Sequence, residues 1–451
     1  MNVVVIFDIG KTNKKAFIFD EDYQIVWQKS TNFAETVDED GDACEDIDLL
    51  TKWVKACWQE AKSLEGFTIK AVNFSTYGAS LVHIGADGKV LTPLYNYLKS
   101  YPEKLKEKFY QSYGGEEAFA MVSASPVLGS LNSGMQIFRI REERPELFDR
   151  ISHSLHLPQY LSFLFTGQYY ADHTSIGCHT NLWDFTKMAY HEWVTREKVA
   201  DKLPAIRTAN ESIPLTDGIT AGAGLHDSSS ALIPYLINFK EPFLLISTGT
   251  WSISLNPFNA TPLTFEEIQY DCLCYLDYKA KPVKAARLFA GNEHEIQTRR
   301  LADHFKVAAD YYKNVAYDKT LIDTLQEERN EVAFDKYKIL RESAFKNRDI
   351  SQFQTYEIAY HQLLLDIINQ QIISTELVIY NSPVQKIFVD GGFSKNPIFM
   401  NLLAESFPEL EVYAASIAQA SALGAALAIH KDWNSKPIAS NLINLKFYRH
   451  L

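Results

Sequence analysis

Short apolar runs, each closed by a small polar turn, alternate along this chain with stretches whose apolar positions recur at helical spacing. Residues 2–7 read as a buried strand, residues 8–15 (DIGKTNKK) as a polar turn, and residues 16–20 as a second strand, a β-hairpin pattern. Leu49, Leu50, Trp53, Val54 and Trp58 predict a helix over 46–63. Residues 69–74 form the next predicted strand, which runs into Ser75-Thr76-Tyr77-Gly78-Ala79-Ser80. Residues 81–84 and 90–91 are expected to pair as a hairpin around Ala86-Asp87-Gly88. Helices are predicted over 103–112, 135–143 and 157–166. The polar segment 173–185 (HTSIGCHTNLWDF) breaks the alternation, so residues 95–200 are expected to be an elaboration facing a substrate. Tyr95, Asn96, Tyr97 and Tyr101 suit a sugar pocket or plain packing equally.

The centre of the chain, residues 221–257, carries two notable features. A glycine-rich turn delivers His226-Asp227 to the start of a short helix, 228–232 or slightly longer. Asp before Ser-Ser-Ser and an apolar run is a good N-cap, so capping and chemistry compete for Asp227. An apolar strand, 243–246, then breaks at Ser247-Thr248-Gly249-Thr250 and resumes. Further on, Gly291-Asn292-Glu293 leads into a helix at 296–305, and residues 306–352 are charged and mostly helical, without an assigned role. Ile358, Leu363, Leu364, Ile367, Ile368 and Ile372 make the core stripe of another helix. A strand at 386–389 ends in Asp390-Gly391-Gly392-Phe393-Ser394-Lys395-Asn396-Pro397, followed by a helix at 399–406. Strand, double glycine and helix start can seat a phosphate on backbone N–H groups. A strand at Val412 and a helix rich in Ala and Gly, 420–429, close the pattern; its small residues permit close packing against strands or an adenine ring.

The two hairpins share a layout that places Asp8 opposite Ser247, Gly10 opposite Gly249 and Lys11 opposite Thr250. A repeat at half-chain spacing is the signature of an internal duplication. It predicts an α/β fold of two similar domains, 1–236 and 237–451, whose hairpins face each other across a cleft that holds a nucleotide's phosphates. The first turn suits a phosphate cradle through its glycine, its Thr12 hydroxyl and its lysines, or else it is a solvated tip.

At 451 residues the chain is long enough for two or three domains, and its 46 % apolar and 22 % charged content is that of a soluble globular protein. A net charge of −12 disfavours nucleic acid and anionic membranes as partners, yet leaves room for a small anion held by local cations. The five cysteines are scattered with no C-x-x-C pair, which fits a reducing compartment and makes a zinc site unlikely from spacing. No apolar stretch reaches the roughly 18 residues of a membrane span, and no secretory leader is evident at 3–7, so the expected location is cytoplasmic.

Taken together, DIGKTNKKAFIFD, STYGAS, GLHDSSSAL, STGTW, DGGFSKNP and ASALGAALA resemble, in order, the FGGY carbohydrate kinases of the sugar kinase, actin and heat-shock ATPase superfamily. The resemblance implies two ribonuclease H-like, actin-like ATPase domains, ATP and Mg²⁺ as cofactors, and a small-molecule sugar as substrate; a homodimer is left open. It implies that Asp8 holds Mg²⁺ through water, that Gly10, Lys11, Thr12, Asn13 and Lys14 lie at the first phosphate loop, and that Gly249-Thr250 form the second. Asp227 would be the catalytic base. Tyr77, Gly78 and His226 would line the sugar pocket, and Gly391, Gly392, Asn396 and Asn292 would lie at the nucleotide. The family usually has Thr at Lys11 and Arg at Lys15, and this chain lacks the Gln-Met-His motif of xylulose kinases. STYGAS, GLHDSSSAL and STGTW are most similar to kinases of rhamnulose and fuculose, although Ala79-Ser80 stand where those kinases usually carry an Asp. The expected activity is therefore transfer of the γ-phosphoryl group of ATP to a ketose, with a 6-deoxy-ketohexose first. A non-catalytic sugar- or nucleotide-binding regulator and a sugar-independent actin-like ATPase are the rival readings.

Overall fold

The computed structural model describes residues 1–327, 339–340, 342–417 and 419–449. The chain forms two compact units. The first comprises Met1–Asn238, Leu273–Pro282 and Ala418–Leu442; the second comprises Phe239–Cys272, Val283–Ile417 and Ile443–Leu451. The expected contiguous second half is thus not how the chain divides, because two later segments return to the first unit.

The first unit is built on strands β1 (Asn2–Ile9), β2 (Lys14–Asp20), β3 (Ile25–Thr31), β4 (Thr68–Thr76), β5 (Ser212–Pro214), β6 (Thr220–Gly222) and β7 (Leu225–His226). Their order is β3-β2-β1-β4-β6-β5, with β7 also on β4. The β1 strand is a nearly continuous apolar run because both its faces are covered, beside its parallel neighbour β4. Val3, Val5, Phe7 and Ile9 pack with Leu50, Val54 and Cys57 of the helix Ile47–Ser63 in one core. A second core gathers Phe109, Phe119, Phe138 and Trp193 from the helical elaboration, together with Leu276.

The second unit uses β8 (Phe243–Thr248), β9 (Ser252–Asn256), β10 (Pro282–Leu288), β11 (Lys386–Gly391), β12 (Glu411–Ser416) and β13 (Asn444–Tyr448), in the order β10-β9-β8-β11-β12-β13. Each sheet reads antiparallel, antiparallel, parallel, parallel, antiparallel along its order. The register repeats too: Asp8 lies beside Ser75 on the parallel partner, and Ser247 beside Asp390. This common topology is what a duplication produces.

Several expectations change. The short hairpin at 81–91 is present, with Ile84 bridging Val90 and Leu91 N–H donating to His83 O at 2.9 Å, but the main partner of Leu81–Gly85 is Ile151–His156. The predicted helix at 296–305 begins earlier and spans Ala290–Phe305, so Asn292 lies in its first turn. In the stretch 306–352, the helix Lys319–Glu327 is present, while residues 328–338 and 341 lie outside the described residues. The Ala- and Gly-rich helix Ala420–Ala428 belongs to the first unit and packs on the helix Asp227–Asn238. A Cβ on Gly424 would lie 1.8 Å from Ser230 O, so these helices approach as closely as backbones can. Ser230 Oγ donates to Ser421 O at 2.7 Å, and Asn73 Nδ2 donates to Ala425 O at 2.8 Å.

Gly424→Ala should cost at least the ~1–3 kcal/mol of an overpacked core, since the obstruction is backbone rather than a movable side chain. Equilibrium urea unfolding checks this; a stability equal to that of the parent would contradict the close approach.

Candidate active site

Asp8 sits near the end of β1, where parallel pairing with β4 brings Ser75 alongside. Its Oδ2 accepts a hydrogen bond from Ser421 Oγ at 3.0 Å, reaching across from the helix Ala420–Ala428. Burial raises its pKa from 3.8 to about 6; the Ser421 bond opposes that shift, and the charge of Asp227 adds to it. Lys15 pulls the other way, and its ammonium donates to Gln419 Oε1 at 3.0 Å. Lys15 is thus the lysine of this loop whose charge acts on Asp8, a role the spacing of the loop did not reveal.

Asp227 is the first residue of the helix Asp227–Asn238 and not the residue before it. Its carboxyl is raised to about 6 by desolvation, opposed by hydrogen bonds from Ser228. The side chain nevertheless keeps 35 % exposure, so one side is open to a ligand. His226 Nε2 lies 3.2 Å from Asp227 Oδ1 and 3.3 Å from Cys178 Sγ. Burial lowers the imidazole pKa to about 3, so the ring is neutral and the Asp227 contact is a hydrogen bond, not an ion pair. With Nε2–H donating, the buried Nδ1 is an acceptor left without a partner.

The segment 173–185 supplies the frame for this histidine. His226 N–H donates to Thr174 Oγ1 at 2.9 Å, and Thr174 in turn donates to Asp172. Tyr275 stacks on the His226 ring at 5.5 Å. Gly78 completes the wall: a Cβ there would lie 2.9 Å from the His226 ring and 3.1 Å from Cys178 Sγ. Ala79 follows with φ 60, a left-handed conformation that non-glycine residues rarely adopt, and its carbonyl accepts from Gln136 Nε2 at 2.7 Å. Tyr97 is also close, since the charge of Asp227 contributes to the raised pKa of its phenol, after burial.

The first loop is tighter than the sequence indicated. Gly10 N–H donates to Asn13 O at 2.9 Å, so the turn is residues 10–13, with Thr12 and Asn13 exposed. Lys14 lies outside the turn and is 2 % exposed, paired with Glu45 and donating to Lys11 O at 2.8 Å. Its charge is therefore spent in the core, which corrects its placement at the phosphate loop. Lys11 pairs with Glu35 at 2.8 Å and sits 5.9 Å above the Tyr97 ring. Tyr77 is 7 % exposed and donates its hydroxyl to Glu45 at 2.5 Å, so that hydroxyl is not offered to a sugar.

In the second unit, Gly249 and Thr250 are exposed at the β8–β9 turn, and a Cβ on Gly249 would meet nothing within 4 Å. Asn292 N–H donates to Thr250 O at 3.0 Å, and a Cβ on Gly291 would lie 1.8 Å from Gly249 O, so the helix Ala290–Phe305 starts directly on this turn. Gly391 has φ +80, and a Cβ on it would lie 1.8 Å from Thr248 O; Phe393 N–H donates to Thr248 Oγ1 at 3.0 Å. Thr248 thereby ties the two glycine turns together, a role its place in the Ser247–Thr250 break did not reveal. Gly391 and Gly392 are exposed, and a Cβ on Gly392 would again meet nothing within 4 Å. Asn396 differs from expectation: its Oδ1 caps the helix Pro397–Ser406 and its Nδ2 donates to Tyr360 Oη at 2.7 Å.

The residues fit the groups that the first reading called for. Asp8, at the end of β1, offers hard carboxylate oxygens of the kind that suit Mg²⁺. Exposed glycines Gly249 and Gly392 leave room for phosphate oxygens against the backbone.

The N-terminal domain of the FGGY family of carbohydrate kinases matches residues 3–229, and its C-terminal domains match 240–326 and 357–430. The chain belongs to the FGGY family of carbohydrate kinases. Among curated FGGY relatives, a rhamnulokinase of Yersinia pestis (strain Pestoides F) is 24 % identical over 243 residues, 51 % of this chain and 48 % of its own. An L-fuculokinase of Salmonella typhi is 24 % identical over 276 residues, 56 % of each chain. The chain thus spans about half the length of the curated relatives it matches. A carbohydrate kinase from Novosphingobium aromaticivorans superposes with a TM-score of 0.78 at 21 % identity, covering 99 % of this chain and 94 % of that one. A xylulose kinase from Lactobacillus acidophilus gives 0.77 at 15 %, covering 100 % and 94 %. The fold is accordingly the α/β, two-domain, actin-like fold of the FGGY kinases.

The raised carboxyls have a sign. A carboxyl whose folded pKa exceeds its unfolded value stabilises the fold fully below about 3.8, and that contribution is lost as pH rises through about 6. Asp227→Asn should therefore raise the melting temperature at pH 8, with the difference shrinking toward pH 4. Scanning calorimetry across that range checks it; an equal or lower melting temperature at pH 8 would contradict the burial argument.

Proposed function

We propose that the protein transfers the γ-phosphoryl group of ATP to a hydroxyl of a ketose, with a 6-deoxy-ketohexose as the first choice. The observation that carries this reading is the His226-Asp227 pair. It sets a partly open carboxylate beside a neutral imidazole and a glycine wall, within electrostatic reach of Asp8. Family membership supports the reaction class, and the names of the matched relatives, rhamnulokinase and L-fuculokinase, support the choice of a 6-deoxy-ketohexose.

A sugar hydroxyl does not ionise at neutral pH, so its proton must leave as the new P–O bond forms. Asp227, charged above about pH 6, would accept that proton. His226 would hold the carboxylate through Nε2–H. Gly78 would let its own loop pack directly against the His226 ring and so fix that ring in place. Asp8 would hold Mg²⁺, which when bound neutralises charge on the transferring phosphoryl group. Lys15 would add positive charge on the same side. Gly249, Thr250, Gly391 and Gly392 would receive the nucleotide, and Asn292 and Asn396 would brace their turns rather than bind it directly.

The deciding experiment is an ATP-consumption screen against ketohexoses, ketopentoses, pentitols and glycerol. A ketose should be turned over fastest. Sugar-independent ATP hydrolysis would favour the actin-like ATPase reading, and sugar binding without turnover would favour a regulator.

Asp227→Asn should lower kcat by about 10²–10⁴, the usual loss of a positioned base, with sugar affinity by calorimetry changed far less. In the parent enzyme, kcat/KM should fall about tenfold per pH unit below roughly pH 6, reporting the coupled carboxylates as apparent values. Near-normal kcat in the variant would remove Asp227 from the chemistry.

A further inference from the structure

Glu45 was not among the residues expected to matter, yet it touches two that were. It follows the short strand Ala43–Cys44 and precedes Asp46, whose carboxylate accepts from Leu49 N–H at 2.8 Å to cap the helix Ile47–Ser63. Its own backbone bridges to Leu94. The side chain is 4 % exposed and enters the core between Lys14, which is 2 % exposed, and Tyr77, which is 7 % exposed. Lys14 is ion-paired with Glu45 Oε1, and that oxygen has no hydrogen-bond donor besides this ammonium. Tyr77 donates its phenol to Glu45 Oε2 at 2.5 Å.

Both partners occupy strategic places. Lys14 is the first residue of β2, directly after the turn 10–13, and its ammonium also holds the carbonyl of Lys11 inside that turn. Tyr77 directly precedes Gly78, the glycine against His226, and its N–H donates to Ile9 O at 3.0 Å, one residue past Asp8. Burial, and then the charge of Glu45, keep the phenol protonated and hence a donor.

We propose that Glu45 is a positioning residue that holds the turn 10–13 in register with the acceptor-side loop 77–79, through its buried ion pair with Lys14 and its hydrogen bond from Tyr77. A buried ion pair is seldom the most stable filling for its space, since apolar residues of similar volume often do as well or better. What the pair adds here is direction. One carboxylate fixes two donors, one just after the turn and one at the loop, and so sets the distance between the turn that follows Asp8 and the loop packed on His226. This inference rests on the kinase reading for its catalytic consequence but not for its structural one.

The test compares the parent with Glu45→Gln, Lys14→Met/Glu45→Gln and Tyr77→Phe. Each is followed by melting temperature, by kcat and KM, and by amide exchange of peptides spanning 8–14 and 75–81. Glu45→Gln alone leaves an ammonium buried without its partner, so its melting temperature should drop. The double variant removes both charges and should melt within about 2–4 °C of the parent. Its kcat should still be about tenfold lower, with KM for the acceptor changed much less, because alignment rather than binding is lost. Exchange should accelerate in both peptides together. Tyr77→Phe should show the same paired acceleration, with a fall in melting temperature smaller than that of Glu45→Gln because the ion pair is kept. If the double variant regains its melting temperature along with parental kcat and exchange, Glu45 is a packing residue and the proposal falls. If the double variant does not fold, Tyr77→Phe decides by the same exchange criterion. If the parent phosphorylates no acceptor, the kinase reading fails, and paired exchange still tests the register.

Discussion

Two carboxylates in surroundings that oppose their charge set the terms for the first unit. Asp8 and Asp227 come from opposite ends of that unit's sequence, and each is pushed to about 6 chiefly by desolvation. Holding them close requires the parallel pairing of β1 with β4, which brings Ser75 beside Asp8. It also requires the helix Ala420–Ala428, which brings Ser421, and that helix reaches its place because Gly424 presents no side chain to Ser230 O. The arrangement is costly at neutral pH without a ligand, and a bound cation or an arriving proton relieves it. Groups so perturbed and grouped are typical of functional sites.

The lysines of the first loop show how burial sorts like residues into different work. Lys11, Lys14 and Lys15 are equivalent by composition and nearly adjacent in sequence. Strand alternation points them apart once β2 begins at Lys14. Lys14 turns inward to Glu45, Lys15 turns toward Gln419 and the field of Asp8, and Lys11 stays on the turn with Glu35 and the Tyr97 face. Tyr97 lies within reach of the Asp227 charge, and the polar segment 173–185 holds the backbone of His226 through Thr174.

Much of the plan was legible in the chain. The repeat of apolar run, glycine turn and apolar run foretold two sheets of one topology, and both have the same order and strand senses. The pair His226-Asp227 and the glycines Gly78, Gly249, Gly391 and Gly392 stand where strands end, as their context implied. Less legible were the partners made by distant segments. Residues 81–84 do pair briefly with 90–91, but the longer ladder with 151–156 was not visible in the chain. Asn396 looked like a nucleotide contact, but the nearest unpaired N–H groups were those of its own helix start, and capping took its oxygen.

By itself the sequence determined what is local or periodic: the strands and helices, the glycine turns, the duplication and the carboxylate at a helix start, because alternation, caps and backbone freedom act over a few residues. The tertiary structure decided what depends on burial and on partners far along the chain. It moved Leu273–Pro282 and Ala418–Leu442 into the first unit, turned Lys14 from a loop cation into half of a core ion pair, and made His226 a neutral donor. The physical reason is that desolvation and charge pairing depend on distance in space, and separation along the chain does not encode that distance.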